Sequence, residues 1–151
     1  MIKIICVGKL KEQYLKEAVQ EYEKRISKYT SISIITVPDE GTDDVEKNIS
    51  REEESVMKHI NPKDYIISLD IDGKEVSSPE FAEKIDKIFL ENSNITFVIG
   101  GSYGLSQHIK DMSNYRLSFS KMTFPHQLFR VMLLEQIYRA FKINNNEVYH
   151  K

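Results

Sequence analysis

Two short segments of this sequence combine residue types that can hold a ligand. The first is Gly-Gly-Ser-Tyr-Gly at residues 100–104, which supplies three of the six glycines of the chain. Because glycine lacks a Cβ, such a loop lets the backbone approach a ligand closely or adopt a positive φ. The spacing matches neither the dinucleotide fingerprint nor the phosphate loop of nucleotide-binding proteins. A tight turn alone also explains the glycines, so ligand contact is one of two interpretations.

The second segment, residues 119–126, reads Phe-Ser-Lys-Met-Thr-Phe-Pro-His and presents hydroxyls, a cation and an imidazole. A helix cap with solvated side chains explains the same residues. His126 can do more, because a histidine with an unperturbed pKa of about 6.5 accepts a proton near neutral pH. His150 shares this property, but it lies at the end of the chain, where a frayed tail is the default expectation.

Strand-like and helix-like runs alternate along the chain and must position these segments. Apolar runs predict strands at residues 2–7, 32–37, 64–71, 94–99 and 115–119, and helical spacing or start signals predict helices over 11–29, from 78 and over 125–142. We expect a turn at Asp72 and Gly73 to end the third strand, and Ser78 with Pro79 to begin the next helix. The acidic residues 39–54 predict a mobile loop leading into a solvated helix.

This alternation predicts an α/β fold with a parallel sheet covered by helices on both faces. In such sheets, ligands bind beyond the carboxyl ends of the strands. Residues 69–73, 100–104 and 119–125 follow three of the predicted strands, so they should meet at one edge. The three segments are therefore the candidate site.

Composition limits the class of protein. A chain of 151 residues with 40% hydrophobic and 29% charged residues predicts one globular domain, residues 1–151. Its apolar runs are shorter than the roughly 18 residues that a membrane span needs, and its first residues do not resemble a secretory signal, so we expect a cytoplasmic protein. The single cysteine, Cys6, lies in an apolar run and is expected to act as a small buried hydrophobe.

Charge is unevenly distributed along the chain. The net charge is −2, but residues 1–103 hold 14 basic and 20 acidic residues, whereas residues 104–151 hold 7 basic and 3 acidic residues. The basic last third is compatible with a local anionic partner, although an ordinary uneven surface explains the counts equally well. The helix predicted over 125–142 is apolar on nearly every face, which indicates either a central core helix or a two-fold subunit interface.

Four motifs together carry a family resemblance that spans the chain. They are VGKLKE at residues 7–12, IGGSYGL at 99–105, SFSKMTFPHQLFRV at 118–131 and the terminal YHK at 149–151. In this order and spacing the sequence resembles the ribosomal RNA large subunit methyltransferase H family, the SPOUT-class pseudouridine N3 methyltransferases. The resemblance implies a parallel sheet with helices on both faces, a carboxy-terminal trefoil knot and a homodimer.

The resemblance also implies S-adenosylmethionine as cofactor, no metal, and large-subunit ribosomal RNA within the ribosome as partner, with no membrane and no DNA. The implied cofactor-binding residues are Leu69, Gly100, Phe119, Ser120, Lys121, Met122, Thr123 and Phe124. We predict His126, Tyr149 and His150 as the catalytic residues. Either histidine could accept the proton that N3 of the pseudouridine loses, and Tyr149 on the tail could stack on the base.

One departure from the family lies near the terminus. This chain has asparagines before Glu147 where many relatives carry a glycine, and asparagine tolerates the left-handed φ that such a turn needs. Two other functions stay open: a ribosome-associated or nucleotide-binding module of this fold without turnover, and a SPOUT enzyme acting on transfer RNA.

Overall fold

The computed structural model describes residues 1–151 and contains five strands and five helices. The strands are Ile2–Val7 (β1), Ile32–Val37 (β2), Tyr65–Glu75 (β3), Ile95–Ile99 (β4) and Tyr115–Ser118 (β5). The helices are Gln13–Ile26 (α1), Val45–Met57 (α2), Ser78–Glu91 (α3), Gln107–Met112 (α4) and His126–Asn144 (α5). The strands form one sheet in the order β2-β1-β4-β3-β5, and every pair is parallel. The predicted α/β class is confirmed.

Alternate residues of the central strands point to opposite faces of the sheet. Ile2, Ile4 and Cys6 of β1 belong to the larger apolar core, which α1, α3 and α5 cover. Ile5 and Val7 belong to the smaller core, to which α2 and α4 contribute. Because both faces are buried, the central strands read as continuous apolar runs in the sequence.

Helix α5 packs against both α1 and α3, and its buried residues include Leu133, Leu134 and Ile137. This packing confirms the first of the two interpretations of its apolar character, a central core helix. No helix combines the length and the apolarity needed to cross a bilayer. Cys6 is fully buried, and this burial raises the pKa of its thiol to about 11.

The predicted turn at Asp72 and Gly73 is wrong, because β3 continues through both residues. Leu117 of β5 pairs with Leu69 and also with Lys74, so the intervening residues of β3 form an irregularity within the strand. A Cβ on Gly73 would lie 2.7 Å from the Arg116 carbonyl oxygen, which explains the glycine there.

Other differences concern helix limits. The cap of α3 is Ser77 rather than Ser78, and it forms a capping box with Glu80. Helix α1 is shorter than the predicted 11–29, since its apolar residue Tyr29 belongs to the turn that follows. Helix α4 was not predicted, because its six residues are too few to show a periodic pattern.

Helix α2 is not a solvated helix, because Asn48, Glu52 and Val56 on one face are buried. The two polar side chains bind the backbone of the acidic loop before the helix. Asn48 Nδ2 donates to the Thr42 carbonyl oxygen at 2.8 Å, and Glu52 Oε2 accepts from the Glu40 amide at 2.9 Å. The polar sequence predicted a solvated helix, but the side chains of Asn48 and Glu52 are buried because they bind the backbone of the acidic loop in place of water.

The capping box of α3 allows a stability prediction. Replacing Ser77 with alanine removes the acceptor of the Glu80 amide, so we expect a loss of about 1 kcal/mol in the free energy of unfolding. At this chain length that loss corresponds to a melting temperature lower by about 2–4 °C. Ser93→Ala is the control, because the Ser93 side chain is exposed and makes no hydrogen bond. Equal melting temperatures for the two variants in differential scanning calorimetry would contradict the assignment of the cap.

Candidate functional site

A cavity of about 410 Å³ lies at the carboxyl ends of β4 and β5, beside the middle of β3 and the start of α5. Its lining comes from residues 69–71, the glycine loop 99–105, residues 117–120 and residues 122–126, together with Lys110 and Phe129. All three segments that the sequence analysis assigned to one sheet edge therefore meet in one cavity. The parallel sheet accounts for this, since it aligns the ends of its strands.

The glycine loop folds back on itself beside β4. Gly101 and Gly104 form an isolated antiparallel bridge, and Gly104 adopts φ +79°. A Cβ on Gly100 would lie 2.6 Å from the backbone carbon of Gly104. The predicted close approach is thus present, but its partner within the chain is the backbone of the same loop. Ser102 and Tyr103 at the tip are exposed.

The second loop, residues 119–125, is held by hydroxyl and aromatic contacts. Ser118 Oγ donates to the Ser120 carbonyl oxygen at 3.0 Å, and Ser120 Oγ accepts from the Met122 amide at 3.0 Å. The Phe119 ring packs on Phe129 of α5 with centroids 4.7 Å apart. These contacts fix the backbone that faces the cavity, while Met122 itself is 75% exposed.

Of the eight predicted cofactor residues, seven line the cavity and Lys121 does not. Lys121 is exposed, and it lies in the turn that Ser120 and Met122 close. Its side chain is therefore turned to solvent rather than to the cavity. Among the predicted catalytic residues, His126 lines the cavity, and its Nε2 lies 3.2 Å from the position that a Cβ would take on Gly8.

Tyr149 and His150 do not line the cavity of their own chain, because the tail packs along α5. The Tyr149 hydroxyl donates to Glu135 Oε2 at 2.7 Å, and its ring meets Tyr138 edge-on at 5.0 Å. Burial raises the pKa of Tyr149 to about 12. Arg139 Nη1 lies 3.0 Å from His150 Nδ1. The tail is therefore bound to the helix rather than frayed.

The turn before the tail agrees with the sequence prediction. Asn146 adopts φ +56°, the left-handed conformation that asparagine tolerates. Glu147 then returns to the helix, where its amide donates to the Lys142 carbonyl oxygen at 2.9 Å and its carboxylate accepts from Lys142 Nζ at 2.7 Å. The Tyr29 hydroxyl donates to the second carboxylate oxygen at 2.8 Å.

Sequence reasoning missed a buried carboxylate at the wall of the cavity. Asp70 is 6% exposed, and it lies 3.5 Å from Lys110 Nζ and 3.9 Å from Arg116 Nη1. Asp70 and Lys110 both line the cavity. Asp70 directly follows Leu69 in the sequence, but the two cations come from α4 and β5, and no local pattern predicts such a long-range contact.

The acidic helix α2 supports the glycine loop from behind. Glu53 Oε1 accepts a hydrogen bond from Ser106 Oγ, directly after the loop. Glu52 Oε1 is buried without a hydrogen-bond partner and lies 3.3 Å from the position of a Cβ on Gly101. Burial raises the pKa of the Glu52 carboxyl. The acidic segment 39–54 thus has a structural role at the edge of the site.

Known proteins are similar to this chain in sequence and in fold. The family model described as "Predicted SPOUT methyltransferase" matches residues 1–150. Proteins named ribosomal RNA large subunit methyltransferase H from Clostridium botulinum strains 657 and Hall are 56% and 55% identical, each over 99% of both chains. A solved structure described as a probable methylase family protein from Haemophilus influenzae Rd KW20 superposes with a TM-score of 0.61 at 15% identity.

That structure shares the fold across 99% of this chain and 70% of its own. These relatives, which share more than half of their residues with this chain along nearly its whole length, confirm the resemblance indicated by the four motifs. The chain belongs to the SPOUT methyltransferase family and, within it, to the ribosomal RNA large subunit methyltransferase H proteins.

Proposed function

We propose that this protein transfers a methyl group from S-adenosylmethionine to large-subunit ribosomal RNA, at N3 of a pseudouridine on the assembled ribosome. The observation that carries the proposal is the cavity formed by residues 100–104 and 119–125, in a chain 56% identical to a protein named for methylation of this RNA. The trefoil knot, the homodimer and the cytoplasmic location implied by the family belong to the same proposal.

The residues that line the cavity fit the cofactor. Its volume of about 410 Å³ lies within the usual range of roughly 300–1,000 Å³ for small-molecule sites. Backbone amides and carbonyls of both loops can read the adenine edge, while Leu69, Met122 and Phe124 can cover its faces. When bound, the cofactor supplies a methyl group already activated by its sulfonium.

The protein must therefore orient the acceptor nitrogen and remove its proton. His126 is the group of this chain that lines the cavity and can take a proton near neutral pH. It is the first residue of α5, which holds its ring at the wall of the cavity. His126 is proposed as the proton acceptor.

Tyr149 and His150 are proposed to cover the RNA base. In the structure they contact Glu135 and Arg139 on α5. The proposal therefore requires either that the tail leaves these contacts or that it serves the cavity of the second subunit. Three exposed apolar residues support a dimer at this edge: Tyr103 and Met122, which line the cavity, and Leu128 in the first turn of α5.

The proposed reaction is tested by tritiated methyl transfer to ribosomes that lack the modification, with mass spectrometry of the RNA digest. We expect one methyl group per large subunit, located on a pseudouridine, and no transfer to transfer RNA. Labelled transfer RNA would favour the transfer-RNA enzyme. Cofactor binding without any transfer would favour the module without turnover.

Gly100→Val tests the cofactor site. The new side chain would collide with the backbone of Gly104, so the loop must open and its backbone groups must move. We expect calorimetric titration to give an affinity for S-adenosylmethionine that is at least about tenfold weaker. This corresponds to a loss of about 1.4 kcal/mol in the free energy of binding. Gly41→Val is the matched control, because nothing lies within 4 Å of a Cβ at Gly41. Unchanged affinity in a folded Gly100→Val protein would remove the loop from the site.

Two further variants separate catalysis from cofactor binding. Deleting residues 149–151 should leave cofactor affinity within about twofold, because these residues lie outside the cavity of the chain. The deletion should abolish methyl transfer, because it removes the residues proposed to cover the RNA base. His126→Ala should lower the rate at saturating substrate by about 10²–10⁴, the usual contribution of a general base. Deleting Lys151 alone is the control for the truncation, since Lys151 is exposed. Transfer at the parental rate by the truncated protein would contradict the role of the tail.

A further inference from the structure

The amino-terminal motif of residues 7–12 has no role in the cavity, although it packs against the same helix. Gly8 follows β1 with φ +95°, and its amide donates to the Val37 carbonyl oxygen at 2.9 Å. The Lys11 amide donates to Gln127 Oε1 at 2.9 Å, which ties the turn to the first residues of α5. The turn is thus held rigidly beside the cavity.

Beneath this turn lies Arg130, a buried cation without a counter-ion. Its side chain is 2% exposed, and it forms no ion pair within 4.0 Å. Nη2 donates to the Gly8 carbonyl oxygen at 2.7 Å, whereas Nε is buried with no hydrogen-bond partner. Burying an unpaired charge is costly, so an arginine in this position indicates an anionic ligand that the fold itself does not provide.

A second cleft of about 300 Å³ opens beside Arg130, between the turn and the end of β2. It is lined by Lys9, Leu10, Thr36, Val37, Pro38 and Arg130. Lys9 and Thr36 are exposed, so the cleft can be reached from solvent. A guanidinium, an ammonium and a hydroxyl are together a donor set that suits a phosphate group. The acidic residue Asp39 is also close to the turn, since its Cβ lies 3.9 Å from the position of a Cβ on Gly8, but it forms no ion pair with Arg130.

The cleft and the cavity are connected through His126. This residue lines the cavity, and its Nε2 lies 3.2 Å from the position that a Cβ would take on Gly8. It precedes Arg130 by one helical turn, so both side chains lie on the same face of α5. A phosphate in the cleft would therefore lie next to a base held at the cavity.

We propose that the cleft between residues 8–11, β2 and α5 binds one backbone phosphate of the RNA substrate, with Arg130 as the fixed cation and Lys9 as the exposed one. The assignment to RNA rests on the proposed function. The phosphate chemistry rests on the unpaired guanidinium and the lining of the cleft. The site is separate from the residues assigned to the cofactor, so its loss should affect RNA binding and not cofactor affinity.

The first test uses inorganic phosphate and the wild-type protein. Arginine Nε–H resonances are followed by ¹H–¹⁵N NMR, with Arg130→Lys to identify the Arg130 signal and sodium chloride at equal ionic strength as the reference. Phosphate should shift the Arg130 signal in a saturable manner, and Lys9→Gln should weaken this binding. A signal that responds equally to chloride and phosphate would overturn the site.

The second test measures binding of unmodified large ribosomal subunits at several salt concentrations, without methyl transfer. Lys9→Gln should weaken binding by about three- to tenfold and reduce the slope of log affinity against log salt by about one, because one phosphate contact is lost. Lys63→Gln is the matched control, since Lys63 is exposed at the opposite edge of the sheet and forms no ion pair. Arg130→Gln should weaken binding further, whereas Arg130→Lys should restore part of it.

Three results would overturn the assignment to RNA. Lys9→Gln could behave as Lys63→Gln does, phosphate could bind without any change in subunit binding, or Arg130→Gln could lose cofactor affinity in calorimetry to the same degree as RNA affinity. Because binding is measured without turnover, wild-type protein that binds subunits with the expected salt slope but transfers no methyl group would contradict the proposed function and leave the phosphate site intact.

Discussion

The parallel pairing of β4 between β1 and β3 is the constraint on which the rest of the molecule depends. Ile95 lies opposite Ile2 on one side and Tyr65 on the other, so the three strands begin in register. The pairing of β3 with β4 ends at Ser68, opposite Val98, and β4 ends at Ile99, so residues 69–71 and the glycine loop lie at the same edge. The cavity, the supporting helix α2 and the start of α5 all depend on this alignment.

Buried charges around this edge are compensated in three different ways. Asp70 lies near two cations, and Glu52 accepts a backbone amide while its carboxyl pKa is raised by burial. Arg130 has only the carbonyl of Gly8. Each of the three keeps one buried side-chain atom without a hydrogen-bond partner. Asp70 nevertheless has cations close by, and the raised pKa of Glu52 favours its neutral form, whereas the guanidinium of Arg130 stays charged and has no carboxylate within 4.0 Å.

The strands and the edge that carries the site could be predicted from the sequence, because β1, β2 and β4 are apolar runs bounded by clear turn residues. The irregularity in β3 could not, since Asp72 and Gly73 form a turn signal and only the pairing with β5 keeps the strand extended. The partners of Asp70 and the contacts of Tyr149 on α5 are also long-range. No local pattern encodes such contacts, so the position of the tail was beyond sequence reasoning.

The burial of Cys6 makes this chain well suited to site-specific labelling. Its thiol is buried in the larger core, and burial raises its pKa to about 11. The reactive thiolate is therefore a very small fraction of the thiol at neutral pH. The chain has no other cysteine. A single cysteine placed on an exposed residue would therefore be the one reactive thiol, and a fluorophore or spin label could be attached to the tail or the glycine loop without first altering the core.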